Sequence, residues 1–295
     1  MAALTANGLS IEYEISGEGP PLLLVMGLGG QLTDWHPSLV ERLEAHFTVI
    51  RFDNRDSGLS GSVDAPVPSR LALVGSNLWP RKSQAAYSLD DMADDAASLL
   101  AALDVTDAHV VGMSMGGMIA QLLATRYPSM VSSLCSIMSN TGDRRSGRPS
   151  PRVLLELARR GRPNRSEALD VTLDLFRVVG GRDWDEAEQR RRSGVSLQRA
   201  YNPAGVLRQT QAIAVSGNRT KALRTLSVPT LVMHGLDDVL VRPSGGKATA
   251  KAVPNARLLL FPRMGHDLPA TRHRDMVEAI RSNAARADAH TGAIG

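Results

Sequence analysis

The stretch Gly112-Met113-Ser114-Met115-Gly116 lies between the apolar run Ala108-His109-Val110-Val111 and the helical pattern Met118–Ala124. That order reads as strand, sharp turn and helix, with a serine hydroxyl presented at the turn. Glycines two positions either side of Ser114 let strand and helix approach closely. A glycine-rich turn that merely contains a serine has the same local pattern, so the partners decide. A serine hydroxyl is a poor nucleophile at neutral pH; it needs a base to take its proton, and the base needs an orienting group. Of seven histidines, His266 sits in the glycine-bearing loop Pro262–Pro269 after the last apolar run. Open α/β sheets build their sites at such strand ends, which makes His266 the expected base. His234 lies inside a strand-exit motif, and His273 falls between Arg272 and Arg274 on a helix expected to be exposed. His36, His46, His109 and His290 read as surface or packing residues. The orienting acid is expected after an earlier strand at the same edge, where His234-Gly235-Leu236-Asp237-Asp238 offers two aspartates.

An acyl carbonyl attacked by serine becomes an oxyanion, which needs preorganised donors. One candidate is the N–H of Met115, directly after the serine at the positive end of its helix. The other is the N–H of Leu28, in the Gly27-Leu28-Gly29-Gly30 loop that follows the apolar run Pro21–Met26. Gly27 and Gly29, beside it, are candidates to touch a substrate. So are Trp79, Phe176 and Trp184, although for each of these aromatics and for Tyr201 packing is the expected role, since aromatics in amphipathic helices face the core.

These residues must be positioned by a mostly parallel sheet. Alternation over Leu9–Ile15 predicts a half-buried strand, and continuous apolar runs at Pro21–Met26 and Val131–Met138 predict strands covered on both faces. Phe47–Phe52, Ala108–Val111, Pro229–Gly235 and Ala256–Phe261 complete the set. Ser88 with Asp90, Asp91, Asp94 and Asp95 marks a helix N-terminus, so these carboxylates read as structural and no metal site is expected. Residues 143–224 hold only helical patterns, around 150–160, 165–178, 184–201 and 204–215, and then βα alternation resumes. The expected division is a core of residues 1–142 and 225–290, an inserted helical cap of 143–224, and a tail of 291–295, with fraying from about Ala287. The closing helix is expected within Asp267–Arg286, and the long 61–86 loop is expected to cover part of the site.

Composition narrows the function. Hydrophobic content of 43% and charged content of 22% suit a globular protein, and no apolar run approaches a membrane span. No signal-peptide pattern opens the sequence, and with a single cysteine, Cys135 in an apolar run, a cytoplasmic setting is expected. Residues 144–224 carry 18 basic against 8 acidic side chains, while the whole chain stands at +4. That could attract an anion; without aromatic interleaving or a nucleic-acid motif, a solvated arginine-rich surface is the expected reading.

Taken together, Met26-Gly27-Leu28, Asp53-Asn54-Arg55-Asp56-Ser57-Gly58-Leu59-Ser60, Gly112–Gly116, His234–Asp238 and Met264–Pro269 resemble the α/β-hydrolases with a helical cap, over nearly the whole chain. The resemblance implies an α/β-hydrolase fold, the order Ser114, Asp238, His266 for a catalytic triad, and Asp238 as the acid, since the family places it three residues after the strand-ending glycine. It implies no cofactor and a small-molecule ester or acyl substrate, with an apolar pocket expected from the cap composition. Met26 stands where the family usually has histidine, and Asp56 where it usually has glycine. Both departures resemble the branch containing aclacinomycin methylesterase, which acts on a polyketide antibiotic. The same triad serves thioesterases, perhydrolases, lyases or cyclases of natural-product tailoring, and ligand receptors, so the resemblance alone leaves these readings open.

Overall fold

The computed structural model describes residues 1–69, 71–73, 85–159 and 164–291; Trp79, much of the 61–86 loop and Gly161-Arg162-Pro163 lie outside them. Asn7 and Gly8 adopt φ values of 48° and 77°, the two successive left-handed positions of a tight hairpin turn. They fold Ala2–Ala6 (β1) antiparallel onto Leu9–Ser16 (β2). Strand β1 has no bulky alternation to announce it; the Asn-Gly turn and the adjacent edge of β2 recruit it.

The remaining strands are Pro21–Val25 (β3), Thr48–Phe52 (β4), Ala108–Met113 (β5), Val131–Ile137 (β6), Thr230–Gly235 (β7) and Arg257–Phe261 (β8). They form one eight-stranded sheet in the order β1-β2-β4-β3-β5-β6-β7-β8, parallel from β4 through β8. Period-two alternation sends Leu23 and Val25 of β3 to one face and Leu22 and Leu24 to the other. The first face packs on Leu89–Ala102 (α2) and Met115–Arg126 (α3); the second on Pro37–Glu44 (α1) and His273–Thr291 (α10). This is the α/β-hydrolase fold expected from the resemblance, with both faces of the sheet covered.

Between β6 and β7 the described elements are helical: Pro151–Arg159 (α4), Ala168–Val179 (α5), Glu186–Arg199 (α6), Pro203–Val215 (α7) and Thr220–Leu223 (α8). They form the inserted cap region. Ser244–Ala252 (α9) connects β7 to β8. Among the described residues, no helix is long and apolar enough to cross a membrane.

The closing helix, His273 and the basic cap segment depart from expectation. The closing helix begins at His273 after a short turn at Ala270–Arg272 and continues to Thr291, past the expected fraying point. His273 is not exposed: its Nε2 donates to the Leu268 carbonyl (3.1 Å), its Nδ1 accepts from Ser38 Oγ (2.7 Å), and burial lowers its pKa to about 4. The basic cap segment is only partly a solvated surface. Arg177, Arg190 and Arg191 make exposed ion pairs, but Arg199 reaches buried Asp53 (2.6 Å) and Arg208 reaches buried Asp56 (2.6 Å). Of the acidic run, Asp91 forms a capping box with Ser88, whereas Asp95 binds Arg55 through two 2.6 Å bonds. Cys135 is buried in the core, and burial pushes its thiol pKa up.

Candidate active site

Ser114 stands between β5 and α3 with φ 56° and ψ −117°, a left-handed conformation rare for a residue with a side chain. The turn is possible because its flanking glycines are in backbone contact. A Cβ on Gly112 would collide with the Gly116 carbonyl, and one on Gly116 would collide with the Val25 carbonyl of β3. Both obstacles are backbone atoms and cannot swing aside. Gly116→Ala is therefore expected to destabilise the fold by about 1–3 kcal/mol through overpacking, seen as a lower midpoint in urea unfolding.

His266 comes from the loop after β8. Its Nε2 lies 3.0 Å from Ser114 Oγ, and its Nδ1 lies 2.7 Å from Asp238 Oδ2. Asp238 follows β7; its Oδ1 accepts the N–H groups of Leu240 (2.9 Å) and Val241 (2.8 Å), which fixes the carboxylate's direction. Burial pushes the Asp238 carboxyl up, but attraction to the His266 ring, the hydrogen bond from His266 and the nearby His234 ring outweigh it and hold the pKa below the usual carboxylate value. An ionised Asp238 accepts Nδ1–H and leaves Nε2 to accept the serine proton. Ser114, His266 and Asp238 thus form one continuous hydrogen-bonded chain. Asp237 points elsewhere: its carboxylate binds Arg182 of the cap region (2.8 Å) instead of nearby amides.

The Gly27–Gly30 loop lies against the serine. A Cβ on Gly27 would sit 3.2 Å from Ser114 Cβ. Met115 opens α3, so its N–H is one of the groups without an intrahelical acceptor. Leu28 keeps a side chain that is 41% exposed. The Gly29 N–H is engaged by Gln209 Oε1 of the cap (2.8 Å), so it is not open to a ligand. Phe176 and Trp184 stack on each other, ring centroids 6.4 Å apart and planes within 10°, and Trp184 also lies against Gly180. Trp79 falls outside the described residues.

Other contacts were not legible in residue types. His234 is fully buried beside Asp238: its Nε2 donates to the Val241 carbonyl (2.6 Å) and lies 3.5 Å from Asp238 Oδ2. The four-residue spacing from His234 to Asp238 was the available signal. The cap also holds the histidine loop directly, because His266 N–H donates to the Val179 carbonyl (2.8 Å) at the end of α5. Asp267 Oδ1 accepts from Gly181 (2.8 Å) and Gly265 (2.9 Å), joining cap turn and histidine loop. Gly181 and Gly265 permit this, since a Cβ on either would strike the opposite backbone.

Residues 20–272 match the family model described as alpha/beta hydrolase fold. The chain is similar to rhodomycin D methylesterase DauP of Streptomyces sp. (strain C5), 30% identical over 285 residues covering 88% of this chain and 89% of that protein. Its fold is similar to that of the enol-lactonase from Burkholderia xenovorans LB400, with TM-score 0.72, 22% identity, and coverage of 96% and 100% of the two chains. It is also similar to that of a thermophilic esterase from Thermogutta terrifontis, with TM-score 0.71, 24% identity, and coverage of 97% and 99%. With the family match spanning most of the sequence, the chain belongs to the alpha/beta hydrolase fold family.

Proposed function

We propose that this protein is a serine hydrolase that cleaves a carboxylic ester of a small, largely apolar molecule through an acyl-enzyme. The observation that carries the proposal is the unbroken hydrogen-bonded chain Asp238–His266–Ser114. Ser114 Oγ attacks the acyl carbon while its proton passes to His266 Nε2. Asp238 holds the ring orientation and stabilises the imidazolium that forms. The N–H groups of Leu28 and Met115 receive the developing oxyanion. His266 then protonates the departing alkoxide, water attacks the acyl carbon with His266 as base, and the carboxylic acid leaves with Ser114 restored. An ester is favoured over other acyl bonds because the relative that this chain matches at 30% identity is named a methylesterase. In this reading the helical segment of residues 143–224 shapes the pocket and the rest supplies the chemistry.

The test is treatment of the folded chain with a fluorophosphonate, peptide mapping of the adduct, and turnover of p-nitrophenyl acetate. Stoichiometric phosphonylation of Ser114 with ester turnover is expected. Folded protein that stays unlabelled and inert overturns the hydrolase reading and favours a ligand-binding role. Activity towards a substrate that survives Ser114→Ala would point to lyase or cyclase chemistry using His266 alone.

A further inference from the structure

The Gly27–Gly30 loop is gripped from two sides. From the core, Asn54 Nδ2 donates to the Met26 carbonyl (3.0 Å), and within the loop Gly30 N–H closes a turn on the Gly27 carbonyl (3.1 Å). From the cap, Gln209 of α7 accepts the Gly29 N–H at Oε1 (2.8 Å). Its Nε2 donates to the Arg55 carbonyl (2.8 Å) and to Ser57 Oγ (2.9 Å), and the side chain has no exposed surface. One buried carboxamide thus ties the cap, the Asp53–Ser60 turn and the Gly27–Gly30 loop together. Gly29 has φ 67°, and a Cβ there would lie 2.8 Å from Val206 Cγ2, one helical turn before Gln209. The cap helix therefore packs directly on this loop.

We infer that Gln209 is a positioning residue that sets the aim of the Leu28 N–H, so that the cap governs transition-state stabilisation as well as access. The inference rests on the ester-hydrolase reading above. The peptide unit carrying Gly29 N–H follows the unit carrying Leu28 N–H, and the two share the Leu28 Cα. Fixing the first by a buried acceptor restricts rotation of the second. An oxyanion donor works only if it already points at the position where charge develops. The neutral carbonyl of a bound ester draws far less on that donor. Loss of Gln209 should therefore slow chemistry while leaving substrate binding nearly unchanged.

The experiment measures kcat and KM for p-nitrophenyl butyrate, and inhibition by an alkyl trifluoromethyl ketone beside the matching methyl ketone. Only the trifluoromethyl ketone forms a stable hemiketal oxyanion on the serine. Gln209→Met keeps the volume and removes the strong acceptor. It is expected to lower kcat about tenfold or more, with KM within about twofold. Inhibition by the trifluoromethyl ketone should weaken by the same factor, and that by the methyl ketone should stay the same. If Gln209→Met fails to fold, Ser57→Ala removes one anchor of the carboxamide and should give a smaller loss of the same kind, in kcat and not in KM. Unchanged kcat in the folded variant overturns the inference alone, as does an equal weakening of both ketones, which marks a packing role. An inert wild type overturns the hydrolase reading and this inference with it.

Discussion

Ser114→Ala is expected to cut ester turnover by about a millionfold, the scale lost when the nucleophile of a serine triad is removed. The size of the effect follows from concerted action. Without Oγ there is no acyl-enzyme, so the proton acceptor at His266 and its orienting carboxylate have nothing to activate in the first step. What survives is binding and oxyanion stabilisation, worth about a thousandfold or more over water, with water as a poorly placed nucleophile. The substitution should barely disturb the fold. The serine hydroxyl bonds only His266 among the described residues, and the left-handed backbone at position 114 costs alanine much what it costs serine. Thermal unfolding within about a degree or two of wild type, together with lost phosphonylation and lost turnover, is the expected pattern. A variant that unfolds markedly earlier would mean that the hydroxyl also supports the turn.

Arg208→Met is expected to cost about 3–5 kcal/mol of stability, because it strands a buried carboxylate. Asp56 Oδ1 accepts from Arg208 Nη2 (2.6 Å) and Val63 N–H (3.1 Å), and Oδ2 accepts from Arg208 Nε (2.8 Å) and Tyr87 OH (2.7 Å). The Asp56 side chain has no exposed surface and that of Arg208 only 6%. Burial pushes the Asp56 carboxyl up, but the Arg208 and Tyr87 hydrogen bonds more than offset this and lower its pKa. A lowered folded pKa means that the stabilisation is complete above the unfolded value of about 3.9 and is lost as pH falls through the folded one. The gap between wild type and Arg208→Met should therefore be widest at neutral pH and narrow below about pH 4, read by urea unfolding across pH. A gap that stays flat would assign the loss to packing of the arginine stem. Asp56 has φ 65°, which glycine tolerates without strain. Adding Asp56→Gly to Arg208→Met should recover more than half of the loss, since it removes both the stranded charge and the left-handed side chain.

The proposed nucleophile and base were legible because each is announced locally. Ser114 carries a strand–turn–helix pattern with glycines on both sides, and His266 follows the last strand in a short loop. The acid was less so. Asp237 and Asp238 are neighbours, and only the spacing from Gly235 that the resemblance implies separates them; the structure adds that Asp238 faces His266 while Asp237 faces Arg182. The cap-to-core contacts were not legible. Arg208 and Asp56 are separated by 152 positions, as are Gln209 and Ser57, and neither composition nor periodicity encodes such pairings. An arginine-rich helix reads the same whether its guanidinium groups meet water or a buried carboxylate. His273 misled for a related reason: flanking arginines suggest an exposed face, but the first residue of α10 turns inward to Ser38 and Leu268.

The bond from His266 N–H to the Val179 carbonyl has a consequence for protein engineering. Caps of this kind invite exchange between homologues as interchangeable modules to transplant specificity. Here the seam at Val179–Gly181 belongs to the histidine loop as much as to the cap. A transplanted cap must bring a backbone carbonyl at the position of Val179, an N–H facing Asp267, and a residue without Cβ at position 181. Chimaeras that retain residues 179–181 should keep His266 in place, and those that replace this turn should lose that placement even when the new pocket fits its substrate.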